Sequence, residues 1–218
     1  MISCSNKSSA PVQAAASEAT GKTQNLGDLP VWNLGDLYPS PTSAEFLGDL
    51  QKATDAAKAF EARWKGKLEL AAGKTGDEGL GASIAEMDAL DDLVGRIGSF
   101  AGLTYYSDTT NPANGKFFGD IQSKLTDLGA HLLFYALELN RIDDAVIDAA
   151  IRNDPKAAHY QSWLKDLRMD KPYQLDDRIE QLFMEKSQTG AAAFNRLFDE
   201  TMASLRYTID GEDLPLEV

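Results

Sequence analysis

Seven apolar residues, Phe118, Ile121, Leu125, Leu128, Leu132, Tyr135 and Leu139, follow one another at spacings that alternate between three and four. That period is the period of an α-helix, sustained for about six turns. A seam this regular belongs to a helix that packs lengthwise against others in a bundle. Between His131 and Leu139 the apolar side chains run almost all the way round, which predicts a central helix buried on several sides. Asp108-Thr-Thr-Asn-Pro112 just before it supplies a break and a fresh helix start.

The rest of the chain reads as helices arranged around that one. Pro41-Thr42-Ser43 opens a helix with Phe46, Leu50, Ala53, Ala57, Phe60 and Trp64 on one face, and Gly66 ends it. A loop through Gly73–Gly79 leads to a second long helix bearing Ile84, Met87, Leu90, Leu93, Val94, Ile97, Ala101 and Tyr105. Gly95, Gly98 and Gly102 sit inside it. Each costs about 1 kcal/mol against alanine, so the three together predict close approach of a neighbouring helix or a kink. Shorter helices follow at about 143–152, 156–169 and 176–186, with Asp143-Asp144 and Asp176-Asp177 at two of the starts, where carboxylates suit the helix N-terminus. Phe194, Leu197, Phe198, Thr201, Met202 and Leu205 form one more amphipathic helix. Residues 205–218 read as a strand, an Asp210-Gly211 turn and the start of a return strand. The fold class is therefore all-α: a bundle-like lobe with an extended N-terminal arm and a short C-terminal β-hairpin.

At 43% hydrophobic residues the chain has material for a core, and its formal net charge of −13 argues against nucleic acid or an anionic membrane as a direct partner. No stretch approaches the ~20 apolar residues of a membrane span. Residues 1–29 are small and polar and read as a disordered leader or tether. Pro30–Ser40 is different: Trp32, Leu34, Leu37 and Tyr38 predict an arm laid against the body. The single cysteine, Cys4, excludes an internal disulfide and fits a reducing, cytoplasmic setting. Cys4 followed by a Ser/Ala-rich tether also resembles the start of a mature bacterial lipoprotein. That alternative, a lipid-anchored or periplasmic protein, requires a true start upstream of Met1.

Motifs that carry chemistry are thin. The two histidines, His131 and His159, lie in no H-E-x-x-H, and no Cys/His cluster has zinc-ligand spacing. His131 falls in the central helix and reads as a satisfied core histidine. Gly73-Lys74-Thr75 ends like a phosphate loop, but Leu68 stands where that loop needs glycine. Ser162-Trp-Leu-Lys165 and Lys74-Thr-Gly76 occur in the wrong order for a serine acyl-transfer site. Catalytic, cofactor-binding and metal-ligating residues are all expected to be none.

Two blocks have a familiar look together: Trp32-Asn-Leu-Gly-Asp-Leu-Tyr-Pro-Ser40 and Glu185–Tyr207 running into Asp210-Gly-Glu212. Between them Gly98–Leu103, His131–Asn140 and Tyr160–Arg168 fall in matching order. The set resembles the N-terminal part of oligoendopeptidase F, a zinc metallopeptidase family related to thimet oligopeptidase. The resemblance implies a helical lobe that walls a channel in which short peptides are cleaved. It also implies a zinc site, H-E-x-x-H plus a further Glu, in a C-terminal half whose residues are not in this chain. The implied partners are that catalytic lobe and oligopeptide substrates. On this reading residues 1–29 are a leader, 30–205 the helical lobe, and 206–218 a hairpin at the start of the catalytic part, and the chain is inactive alone. The alternative is a stand-alone helical module that binds peptides or a partner without cutting. The first reading predicts an exposed apolar patch, with the Phe194–Leu205 helix and the hairpin as its site.

Overall fold

The computed structural model describes residues 32–214; the leader and Cys4 lie outside them. Three long helices make the body. α1 (Ala44–Trp64) starts at Ser43, whose Oγ accepts from the Phe46 N–H at 3.2 Å, and it buries the six apolar residues its spacing selects. α3 (Leu80–Ser107) follows a short α2 (Leu68–Ala72) that the sequence pattern does not reveal. α4 (Pro112–Arg141) is capped by Asn111, with proline in the first turn. These three long helices pack pairwise on one another.

α1 and α4 run parallel. Phe46 meets Phe117 near one end (ring centroids 5.4 Å), and at the other the Gly66 N–H donates to the Glu138 carboxylate at 2.8 Å. Between them Phe60 lies edge-on to Tyr135 at 5.1 Å, and the Tyr135 hydroxyl reaches Ser83 Oγ on α3 at 3.0 Å in a fully buried bond. Burial pushes the Tyr135 hydroxyl well above its ordinary pKa. The arm contributes Tyr38, which is buried edge-on to Phe46 and Phe100 and donates to Asp49 at 2.9 Å. Leu34 and Leu37 pack beside it, around a 3-10 turn at Leu34–Asp36. Trp32 does not pack against the body as its size suggests; it is exposed.

α3 is an unbroken helix despite its glycines. Gly98 lies 3.4 Å from Leu125, measured from the position of an added Cβ, Gly102 is 3.8 Å from Phe118, and Gly95 faces open space. The close approach is at the helix start instead. A Cβ on Gly81 would fall 2.6 Å from the backbone carbon of Lys156 and overlap the Ala157 nitrogen. Holding that approach is Asp154, a buried carboxylate. Its Oδ1 accepts from the Lys156 N–H at 3.0 Å, capping α6 (Pro155–His159), while its Oδ2 accepts from the Gly81 N–H of α3 at 3.2 Å.

Outside the three-helix body, α5 (Asp144–Asn153) and α7 (Gln161–Arg168) complete the far end. The helix expected over 156–169 is broken at Tyr160, which ends α6 and begins α7. Arg168 reaches back to the end of α4, donating to the Ile142 carbonyl at 2.6 Å and to Leu139, and pairs with Asp144. Asp143 and Asp176 act as helix caps, accepting from the N–H groups of Ala145 and Arg178.

The contrast between two glycines gives a test. Gly81→Ala drives a methyl group into backbone that cannot give way and should cost about 1–3 kcal/mol. Gly95→Ala meets nothing and should stabilise by about 0.5–1 kcal/mol. Urea unfolding midpoints of the two variants are expected to move in opposite directions.

Candidate functional site

α8 (Asp177–Ser187), α9 (Ala191–Ser204) and the hairpin β1 (Tyr207–Ile209) and β2 (Glu212–Leu214) follow the body, and neither helix buries a single residue. The reason is their orientation. α8 meets α4 through Met184, whose Cε would be 2.5 Å from a Cβ on Gly129, through Gln188, which donates to Thr126 Oγ1 at 2.6 Å, and through the Asp177 pair with Arg141. At about 100° per residue the stripe Ile179, Leu182 and Phe183 lies far round the helix from Met184. All three are exposed.

α9 is turned the same way. A Cβ on Gly119 of α4 would sit 3.8 Å from Arg196 Nη1. The charges of Glu200 and Asp199, after burial itself, push the Tyr105 hydroxyl above its ordinary value of 10.0. Arg196 thus comes beside α4, although it, Asp199 and Glu200 are exposed; the partly buried residues of α9 are Ala192, Ala193 and Met202. Phe194, Leu197 and Phe198 stand 69%, 57% and 63% exposed. The Tyr105 hydroxyl beneath is buried and has no hydrogen-bond partner. In the hairpin Asp210 and Gly211, both at positive φ, make the turn, Thr208 Oγ1 donates to Asp213 at 2.6 Å, and Tyr207 and Ile209 are exposed. The rings of Phe183, Phe194 and Phe198 alone present on the order of 400 Å² of apolar surface. Large exposed apolar side chains are thus concentrated on α8, α9 and the hairpin. This is the face the sequence singled out, although the sequence does not show that α8 shares it.

The polar groups are structural. His131 is not a core histidine: it is about one-third exposed, with Nδ1 2.6 Å from Glu61 Oε2, so that it pins α4 to α1. His159 is exposed, edge-on to Tyr160. Among the described residues no group of three or more His, Cys, Asp or Glu side chains is placed to hold a metal ion. The residues present therefore do not fit the zinc site implied by the resemblance. No described helix is long and apolar enough to cross a membrane.

One family model matches a segment that includes most of the exposed face. Residues 138–207 match the N-terminal family model of the M3 peptidases, described as oligopeptidase F. The oligopeptidase F match begins in the last turn of α4 and ends on β1, taking in α8 and α9 whole. It coincides with two of the blocks that carried the resemblance, Tyr160–Arg168 and Glu185–Tyr207, and overlaps the end of a third. No curated protein and no solved structure compared with the chain matches it.

The α1–α4 pin predicts a pH response. Hydrogen bonds from Lys65 and His131 hold the Glu61 carboxyl below its ordinary 4.5. Its folded-state pKa is depressed, so its contribution to stability is complete above 4.5 and is lost as the pH falls through the lower folded value. Glu61→Gln should melt below the wild type at neutral pH, and the gap should close as thermal melts are repeated below pH 4.5.

Proposed function

We propose that this chain is the N-terminal, non-catalytic part of an oligoendopeptidase F-like zinc metallopeptidase that hydrolyses short peptides. Its lobe walls the substrate channel, and the face of α8, α9 and the hairpin docks the catalytic lobe. One observation carries the reading. The segment matching oligopeptidase F contains both helices that leave their phenylalanines exposed. A helix gains most of its stability in water from burying an apolar stripe. One that leaves its stripe bare on a lobe with an adequate core of its own has a second surface to meet. The dense recognition of the body by itself, through α1, α3 and α4, leaves those stripes available without loss to the fold.

The chemistry of peptide hydrolysis, a metal-activated water, belongs on this reading to the docked lobe. The contribution of this chain is to exclude folded substrates and to complete one wall. A quenched fluorescent oligopeptide tests this. The chain with added zinc is expected to leave it intact, and mixing with a separately produced catalytic lobe is expected to give chelator-sensitive hydrolysis. Phe194→Asp with Phe198→Asp should abolish the gain while changing the melting temperature little, since both rings are exposed already. Robust chelator-sensitive hydrolysis by the chain alone contradicts the proposal.

A further inference from the structure

The attachment of α8 to α4 is thin, and its centre is a single sulfur-bearing side chain. The apolar residues of α8 are Ile179, Leu182, Phe183 and Met184, and the first three are exposed. Met184 alone among them is partly buried. Its methyl group lies in the notch that Gly129 leaves on α4, where an added Cβ would come within 2.5 Å of Cε. The rest of the attachment is polar. Gln188 donates to Thr126 Oγ1 at 2.6 Å, and Asp177 pairs with Arg141 where both side chains are half exposed. An exposed pair of that kind contributes little. The apolar hold of α8 on α4 is therefore one thioether.

The other methionines among the described residues are placed differently. Met169 is exposed, and Met87 packs against a core that many other apolar residues share. Met202 is one of three partly buried residues on α9, with Ala192 and Ala193. A change at any of these touches one contact among several, or none. A thioether is open to two-electron oxidation, which turns a flexible apolar side chain into a polar one. At Met184 the new oxygen would find poor company. The α4 N–H groups beside Gly129 are bonded within the helix, and the Thr126 hydroxyl proton is spent on the Gln122 carbonyl at 3.0 Å. Water serves that oxygen better, so oxidation draws the side chain out of the notch. α8 has 11 residues, too few to hold as an isolated helix in water. Without its seat on α4 it frays.

We propose that Met184 is a reversible oxidation site that controls whether α8 is seated on α4. The oxidant is a peroxide. The sulfur lone pair attacks one peroxide oxygen, so the S–O bond forms as the O–O bond breaks. The sulfur gives up two electrons, and the second oxygen leaves and is protonated, as water when the oxidant is hydrogen peroxide. A dithiol reductant reverses the step: its two thiols close to a disulfide, and the sulfoxide oxygen departs as water. The seating of α8 needs nothing from a docked lobe. On the reading proposed above, oxidation also disperses the α8 part of the face that meets that lobe.

The test treats the full chain with hydrogen peroxide and follows the amides of residues 177–187 by hydrogen–deuterium exchange. Peptide mass spectrometry reports the state of each methionine. Conversion of Met184 should speed exchange in α8 roughly tenfold and leave α1 and α3 unchanged. Methionine sulfoxide reductases supplied with dithiol should restore the original rates. Met184→Leu keeps an apolar contact without the sulfur, so its α8 should not respond to peroxide. Met184→Gln, polar and of similar length, should exchange fast with no peroxide present. Met169→Leu should respond as the wild type does. Three results would each overturn the proposal: α8 exchanging no faster once Met184 is converted, Met184→Leu responding like the wild type, or Met87 and Met202 oxidising before Met184.

Discussion

The structure depends on how α4 is buried. Its seam faces α1 and α3, where Phe60, Tyr135 and Ser83 interlock and where removing one ring would cost about 3–5 kcal/mol. Its last turn is gripped by Arg168 and by the Gly66–Glu138 bond, and its outer side is approached by α8. With the arm held by Tyr38 and the far end tied down by Asp154, the body has a core of its own. α8 and α9 can then join it through methionine, glutamine and ion-pair contacts, without surrendering their phenylalanines to it.

That division of labour links fold to function. Had α9 turned its Phe194–Phe198 stripe inward, the fold would have gained burial and lost an apolar face on the segment that matches the family model. Instead the stripe is exposed, and the Tyr105 hydroxyl of α3 is buried with no hydrogen-bond partner among the described residues. A weakly held helix with its apolar side outward is suited to a surface completed by another lobe.

Periodicity made the long helices legible, because α1, α3 and α4 are amphipathic, and Ser43 caps α1 while Asn111 caps α4 with Pro112 in its first turn. The apolar stripe of α9 was visible too. Its outward orientation was not, because a wheel shows which side is apolar and not which side the rest of the molecule occupies. His131 misled for a related reason: a nearly all-round apolar stretch hid a partly exposed position beside Glu61. Gly81 and Asp154 are 73 residues apart, so their close approach leaves no local trace beyond an Asp-Pro cap signal. Of Gly95, Gly98 and Gly102, the last two face Leu125 and Phe118 of α4 at ordinary contact distance, and Gly95 faces open space.

The central claim is that the outward stripes of α8 and α9 are one half of an interface. Hydrogen–deuterium exchange of the chain, alone and mixed with the catalytic lobe of an oligoendopeptidase F-like enzyme, addresses it residue by residue. The account predicts new protection concentrated in residues 177–209, with the amides of α1 and α3 unchanged. Unaltered exchange across α8, α9 and the hairpin on addition of a lobe that restores hydrolysis would contradict it.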